Sequence, residues 1–136
     1  MKPFSIKKEP TPLTIKSYAT TLEKAFENIA KGMFTYIMQE QEIEPVGGYT
    51  INLKGKTSEE LLVKWISTLQ YLHSHHDLVF GYFSVTIDEK QNLTGQIFGQ
   101  KHTPQLGEEL SEIRIIPNSI EITKKNHYTL EARFSE

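Results

Sequence analysis

Between Leu22 and Met38 the apolar residues recur at three- and four-residue spacing. Leu22, Ala25, Phe26, Ile29, Met33, Phe34, Ile37 and Met38 share one face of a helix of roughly five turns. A face that wide must be buried, so whatever else the chain forms has to cover it. Thr20-Thr21-Leu22-Glu23 precedes the run and fits a capping box, with Thr20 as N-cap and Glu23 reaching back to its amide. Pro45 and Gly47-Gly48 close the segment.

A second helix is expected after Thr57-Ser58-Glu59-Glu60, another capping box. It carries Leu61, Leu62, Trp65, Ile66, Leu69 and Leu72 on its apolar side. Trp65 is the only tryptophan and is expected in the core. Other stretches alternate in strand fashion. Tyr49, Ile51 and Leu53 alternate with polar residues, and Ile15 to Tyr18 is a shorter strand. Pro10 and Pro12 restrict the chain before it to an extended edge or a loop. Val79 to Ile87 and Leu93 to Phe98, joined by the polar turn Asp88 to Asn92, form a hairpin pattern. Lys101 to Leu110 is a polar loop. Ile113 to Ile116 and Ile120 to Thr123 read as one bent strand, interrupted at Pro117-Asn118. After the turn Lys124 to His127, Tyr128, Leu130, Ala132 and Phe134 alternate toward the end. The expected class is α+β, with two amphipathic helices packed on a mostly antiparallel sheet, in a single domain over residues 1–136.

Composition narrows the function classes. The chain has no cysteine, which removes disulfides, thiolate zinc sites and a cysteine nucleophile. A net charge of −2 is the wrong balance for a broad nucleic-acid surface, so no direct nucleic-acid binding is expected. Met1 to Pro10 has no apolar run of the signal-peptide kind, and no stretch is long enough to span a bilayer. A cytoplasmic location is expected. No Gly-x-Ser-x-Gly, Walker or dinucleotide motif occurs.

The run from Ile15 to Phe34, with its strand, its capped helix and Ala25-Phe26-Glu27-Asn28, resembles the start of the archease family. Ser58 to Trp65 resembles that family's E-E-L-L-x-x-W-L helix. Leu78-Val79-Phe80, followed by Phe83-Ser84-Val85, resembles its L-V-F-x-x-F-x-V strand. The blocks keep the family's order and spacing over nearly the whole chain. The resemblance implies an archease-like fold. It also implies an accessory role, in which the protein assists an RtcB-type RNA ligase during tRNA splicing by promoting guanylylation of the ligase. The family uses a small acidic site for a divalent cation such as calcium.

This chain departs from the family at that site. Counted back without gaps, the family's D-H-T-A-D-V motif falls on Lys8 to Leu13. Its first aspartate becomes Lys8, its histidine Glu9 and its second aspartate Pro12. The family's later histidine falls on Asn118, and its final aspartate on Ser135. Glu9 and Glu136 are the carboxylates left near those positions, and they are the residual metal candidates. No cofactor is expected.

His73-Ser74-His75-His76-Asp77 is the densest set of potential ligands, placed in the loop after the second helix. Its plainer reading is a solvated helix end, where histidines favour the negative pole of the helix dipole. His102 and His127 stand alone in expected loops, and Glu108, Glu109 and Glu112 form a short acidic run. Three functions therefore stand open. One is a non-catalytic activator docking on an RNA ligase. The second is a diverged module of the same fold with a changed protein partner. The third is a metalloenzyme using His73, His75 and His76.

Overall fold

The computed structural model describes residues 2–102 and 112–136. Element order is β1 (Phe4–Lys7), β2 (Leu13–Ala19), α1 (Leu22–Ile37), β3 (Gly47–Lys54), α2 (Ser58–His76), β4 (Leu78–Ile87), β5 (Asn92–Lys101), β6 (Arg114–Ile115), β7 (Glu121–Lys124) and β8 (Tyr128–Ser135). Both helices, the hairpin and the interrupted strand lie where the residue pattern puts them. The loop expected from Lys101 to Leu110 falls largely outside the described residues, as do Glu108 and Glu109.

The strands form two antiparallel sheets instead of one. The first runs β1-β2-β8-β6, with β7 also on β8, and the second runs β3-β5-β4. The α+β class stands. The division explains why α1 is buried on more than one stripe. Ala25, Phe26, Ile29, Ala30, Met33, Phe34 and Ile37 are all buried, and so are Asn28 and Gly32. One side of α1 meets β2, and another meets β4. Gly32 allows the closest approach: a Cβ there would stand 2.8 Å from Ile15 Cγ2.

The first N-cap is shifted from the expected one. Thr21, not Thr20, caps α1; its extended backbone frees Oγ1 to accept from the Lys24 amide at 3.2 Å. With Thr21 in that place, Lys24 occupies the position where a capping box needs a carboxylate. The cap is therefore one-sided. At α2 the expected residue is in place, and Thr57 Oγ1 accepts from the Glu60 amide at 3.1 Å. The Glu60 carboxylate pairs along the helix with Lys64 at 3.3 Å.

Trp65 is fully buried and joins the layers. Its indole N–H donates to the Phe26 carbonyl at 3.0 Å, tying α2 to α1. Its ring lies over Gly95 of β5, where a Cβ would meet Trp65 Cζ3 at 2.7 Å, and meets Phe83 edge-on at 6.3 Å. Phe34 continues the cluster against Phe80 and Phe83. The buried Ser17 hydroxyl donates to Ala25 O at 2.8 Å, and Asn28 Nδ2 donates to Tyr18 O at 2.9 Å.

The β4–β5 turn is fastened by Asp88. Its Oδ1 accepts from the Lys90 and Asn92 amides and its Oδ2 from Asn92 Nδ2. The Asn92 amide bond, first among these contacts, holds the carboxyl below its usual range. A depressed folded-state value means the contribution is complete above the ordinary carboxylate range. It is lost as pH falls through the lowered value.

Two outcomes follow for stability, both read by denaturant unfolding followed by circular dichroism. Thr21→Ala should cost about 1 kcal/mol, while Thr20→Ala should stay within about 0.5 kcal/mol. Equal losses at both positions would contradict the observed cap. Trp65→Ala should cost about 3–5 kcal/mol, and Trp65→Phe, which keeps a ring and deletes the donor, about 1–3 kcal/mol.

Candidate functional site

The positions that the resemblance assigns to a metal motif lie toward one end of the first sheet. Strand β2 pairs with β8 so that Leu13 faces Phe134. Pro12 therefore enters beside Ser135, and the β1–β2 connection holding Lys8 and Glu9 lies at the same end as Glu136. Strand β6 adds its part, because Arg114 faces Ser135 and the Ile116 amide donates to Arg133 O at 2.8 Å. Asn118 follows in the β6–β7 turn, with φ of 61°. The next residue, Ser119, fixes that turn: its hydroxyl bonds both the carbonyl and the amide of Arg133, at 3.2 and 3.1 Å.

A side chain from α1 also reaches this end. The Tyr36 hydroxyl, from the last turn of α1, donates to Glu136 Oε1. Nearby, a shallow pocket of about 410 Å³ is lined by Ile6, Lys8, Thr35, Tyr36, Gln39 and Glu40. Sequence reasoning did not single out Tyr36. It lies within a run read as the apolar face of a helix, and nothing in its spacing marks it as polar in use.

The donor set here does not suit a hard cation. Pro12 offers no side-chain ligand, and the Ser135 hydroxyl is a neutral group directed at Arg114 O at 3.5 Å. Glu136 already accepts from Tyr36, and Glu9 is exposed. Lys8, Arg114 and Arg133 bring positive charge to the same end, where a cation site would need carboxylates. Arg133 and Lys16 both contact Glu131, at 3.7 and 3.3 Å. Among the described residues no group of three or more His, Asp or Glu side chains is disposed to hold a metal. The surface is one of mixed charge and hydrogen-bonding groups.

The histidine run is placed differently from the loop expected for it. His73, His75 and His76 form the last turn of α2, and Asp77 is the left-handed C-cap, with φ of 55°. The helix disperses them. His73 turns inward, buried, with Nδ1 3.0 Å from Leu78 O and its ring against Phe34. His75 and His76 stay outside. His75 stacks on Tyr71 at 4.3 Å and meets the Ser74 hydroxyl at 3.0 Å, and His76 meets the same tyrosine edge-on. Asp77 O accepts from the His102 amide at 2.8 Å. His102 and His127 are half-buried, and the His127 ring is tilted against Tyr18.

Comparison with known proteins agrees with this scaffold. Residues 7–134 match the model of the Archease protein family. The chain is 36% identical over 105 residues to Protein archease of Pyrococcus furiosus, which covers 75% of this chain and 74% of that protein. It is 28% identical over 130 residues to Protein archease of Sulfurisphaera tokodaii, with 94% of each covered. The solution structure of Methanobacterium thermoautotrophicum protein 1598 superposes with a TM-score of 0.84 over 100% of both chains, at 23% identity, which is a likeness of fold. With a family match that runs almost from end to end, the chain belongs to the archease family.

Proposed function

We propose that this protein is a non-catalytic accessory factor that binds an RtcB-type RNA ligase and activates it in tRNA splicing or RNA repair. The observation that carries this reading is the family match across residues 7–134. The chain would act in the cytoplasm as a single domain. No helix among the described residues is long and apolar enough to cross a membrane.

We infer further that the family's acidic metal site is degenerate here. Pro12, Asn118 and Ser135 supply no carboxylate at the end of the sheet where the motif converges. Docking would then rest on the shape of this end and on its mixed charges, with Tyr36 and Glu136 linking α1 to the end of β8. The second reading keeps the scaffold and changes the protein partner. It is favoured by the same lack of carboxylates, and one pair of measurements separates the two.

The protein should co-purify with the ligase of its own organism and raise ligation above one product per ligase molecule. Neither binding nor stimulation would leave only the changed-partner reading. Removal of divalent cations by a chelator should leave the Tm unmoved. The loss of a site contributing even 1 kcal/mol would lower it by about 3–5 °C. A drop of that size would sink the inference of a degenerate site.

A further inference from the structure

Sheet edges are sites where a foreign strand can add, and stable proteins blunt them. Most edges here are blunted. Strand β1 has four residues, and the β6/β7 edge is broken at Pro117-Asn118. Strand β4 carries a bulge between Phe80 and Tyr82, with Ile43 packed at Gly81. Its Val85 amide is taken by Glu27 Oε2 at 2.9 Å.

Strand β3 is the exception. It is an eight-residue edge without proline, bulge or any charge before its last residue, Lys54. Which of its backbone groups are open follows from the ladder. The Gly55 amide donates to Gln91 O at 3.1 Å. The register continues that pairing in two-residue steps through Leu53↔Leu93, Ile51↔Gly95 and Tyr49↔Ile97. These odd-numbered residues therefore exchange bonds with β5, and Gly48, Thr50, Asn52 and Lys54 turn their amides and carbonyls outward. Among the described residues, only the Lys54 carbonyl in that outward row has a partner, Lys64 Nζ. Exposed apolar surface flanks the edge, with Val46 79% and Tyr49 43% accessible.

We propose that β3 pairs antiparallel with β3 of a second copy of this chain, joining two three-stranded sheets into one of six strands. The segment is complementary to itself. With Ile51 opposite Ile51, Thr50 faces Asn52, Tyr49 faces Leu53 and Gly48 faces Lys54. No like charges oppose each other, and the aromatic and aliphatic side chains of the inner face meet in pairs. Every outward residue of β3 finds a partner in this register. The flanks agree in charge. Exposed Glu42 and Glu44 lead into β3, and exposed Lys54 and Lys56 leave it. In the antiparallel pair Lys56 falls opposite Val46 of the other copy, which sets it diagonal to that copy's Glu44. The Phe98 ring lies across Gly48, where a Cβ would meet it at 2.7 Å. Lys54 of the second copy would arrive beside that ring, a favourable place for a cation. The pairing uses the second sheet and leaves the end of the first sheet free for a ligase.

The test is sedimentation of the full chain across a dilution series. A concentration-dependent dimer is expected. The double variant Thr50→Lys, Asn52→Lys puts lysines opposite each other and should raise the dimer Kd by about tenfold or more, a loss of about 1.4 kcal/mol. Its circular dichroism should stay that of the parent. The double variant Thr50→Glu, Asn52→Lys puts opposite charges face to face and should restore the dimer. A wild-type chain that stays monomeric throughout, including one that instead takes up an extended peptide, would overturn the proposal. So would a dimer that the lysine pair leaves unmoved, or one that both double variants weaken equally.

Discussion

The hydrogen bond from the Trp65 indole to the Phe26 carbonyl is made where no water competes, and it fixes how the two helices meet. Phe26 is one of four consecutive residues that between them bind β2, α2 and β4. The Ala25 carbonyl accepts from Ser17 of β2, and the Glu27 carboxylate caps the Val85 amide on the edge of β4. Asn28 donates to Tyr18 at the end of β2. The first turns of α1 thus set the distance to both sheets and to α2 at once. An error in the rotation of α1 would break all four contacts together. That makes this stretch a motif of architecture, and its kinship signal needs no catalytic explanation.

Much of this order could be read from residue pattern. Apolar spacing places both helices, alternation places the hairpin and β8, and Pro117-Asn118 marks the break between β6 and β7. The division into two sheets could not be read that way. Periodicity reports which face of an element is buried and says nothing of which partner buries it. Ser17 and Asn28 hide the same fact from the other direction. Both are polar by composition, and both are buried because a carbonyl of a neighbouring element waits for each. The shift of the N-cap by one residue has a local cause. Thr20 and Thr21 offer the same hydroxyl, and the departure of the chain from β2 decides between them.

The site shows the opposite relation between sequence distance and proximity. His73, His75 and His76 are nearly contiguous, yet a helix turns about 100° per residue and sends His73 inward and the others out. Pro12, Asn118 and Ser135 span most of the chain, yet the β2–β8 ladder and the β6 pairing bring them to one sheet end. Comparison of motifs along the sequence nominates these positions as expectations. It could not find Tyr36, whose part depends on where the last turn of α1 stops relative to β8.

Fold and site are separable in this protein for a physical reason. Asn118, Ser135 and Glu9 are exposed and Pro12 is half-buried, so none belongs to the apolar core. Substitution at exposed positions away from caps and buried networks changes stability by only about 0.5 kcal/mol. The residues that carry the family's scaffold are the reverse case. Phe26, Trp65, Phe34 and Phe80 are fully buried, and each touches at least one other element. Substitution at these exposed positions therefore costs the fold little, while losing any of the anchors costs it several contacts. The end of the first sheet can thus change while the scaffold that holds it stays in place.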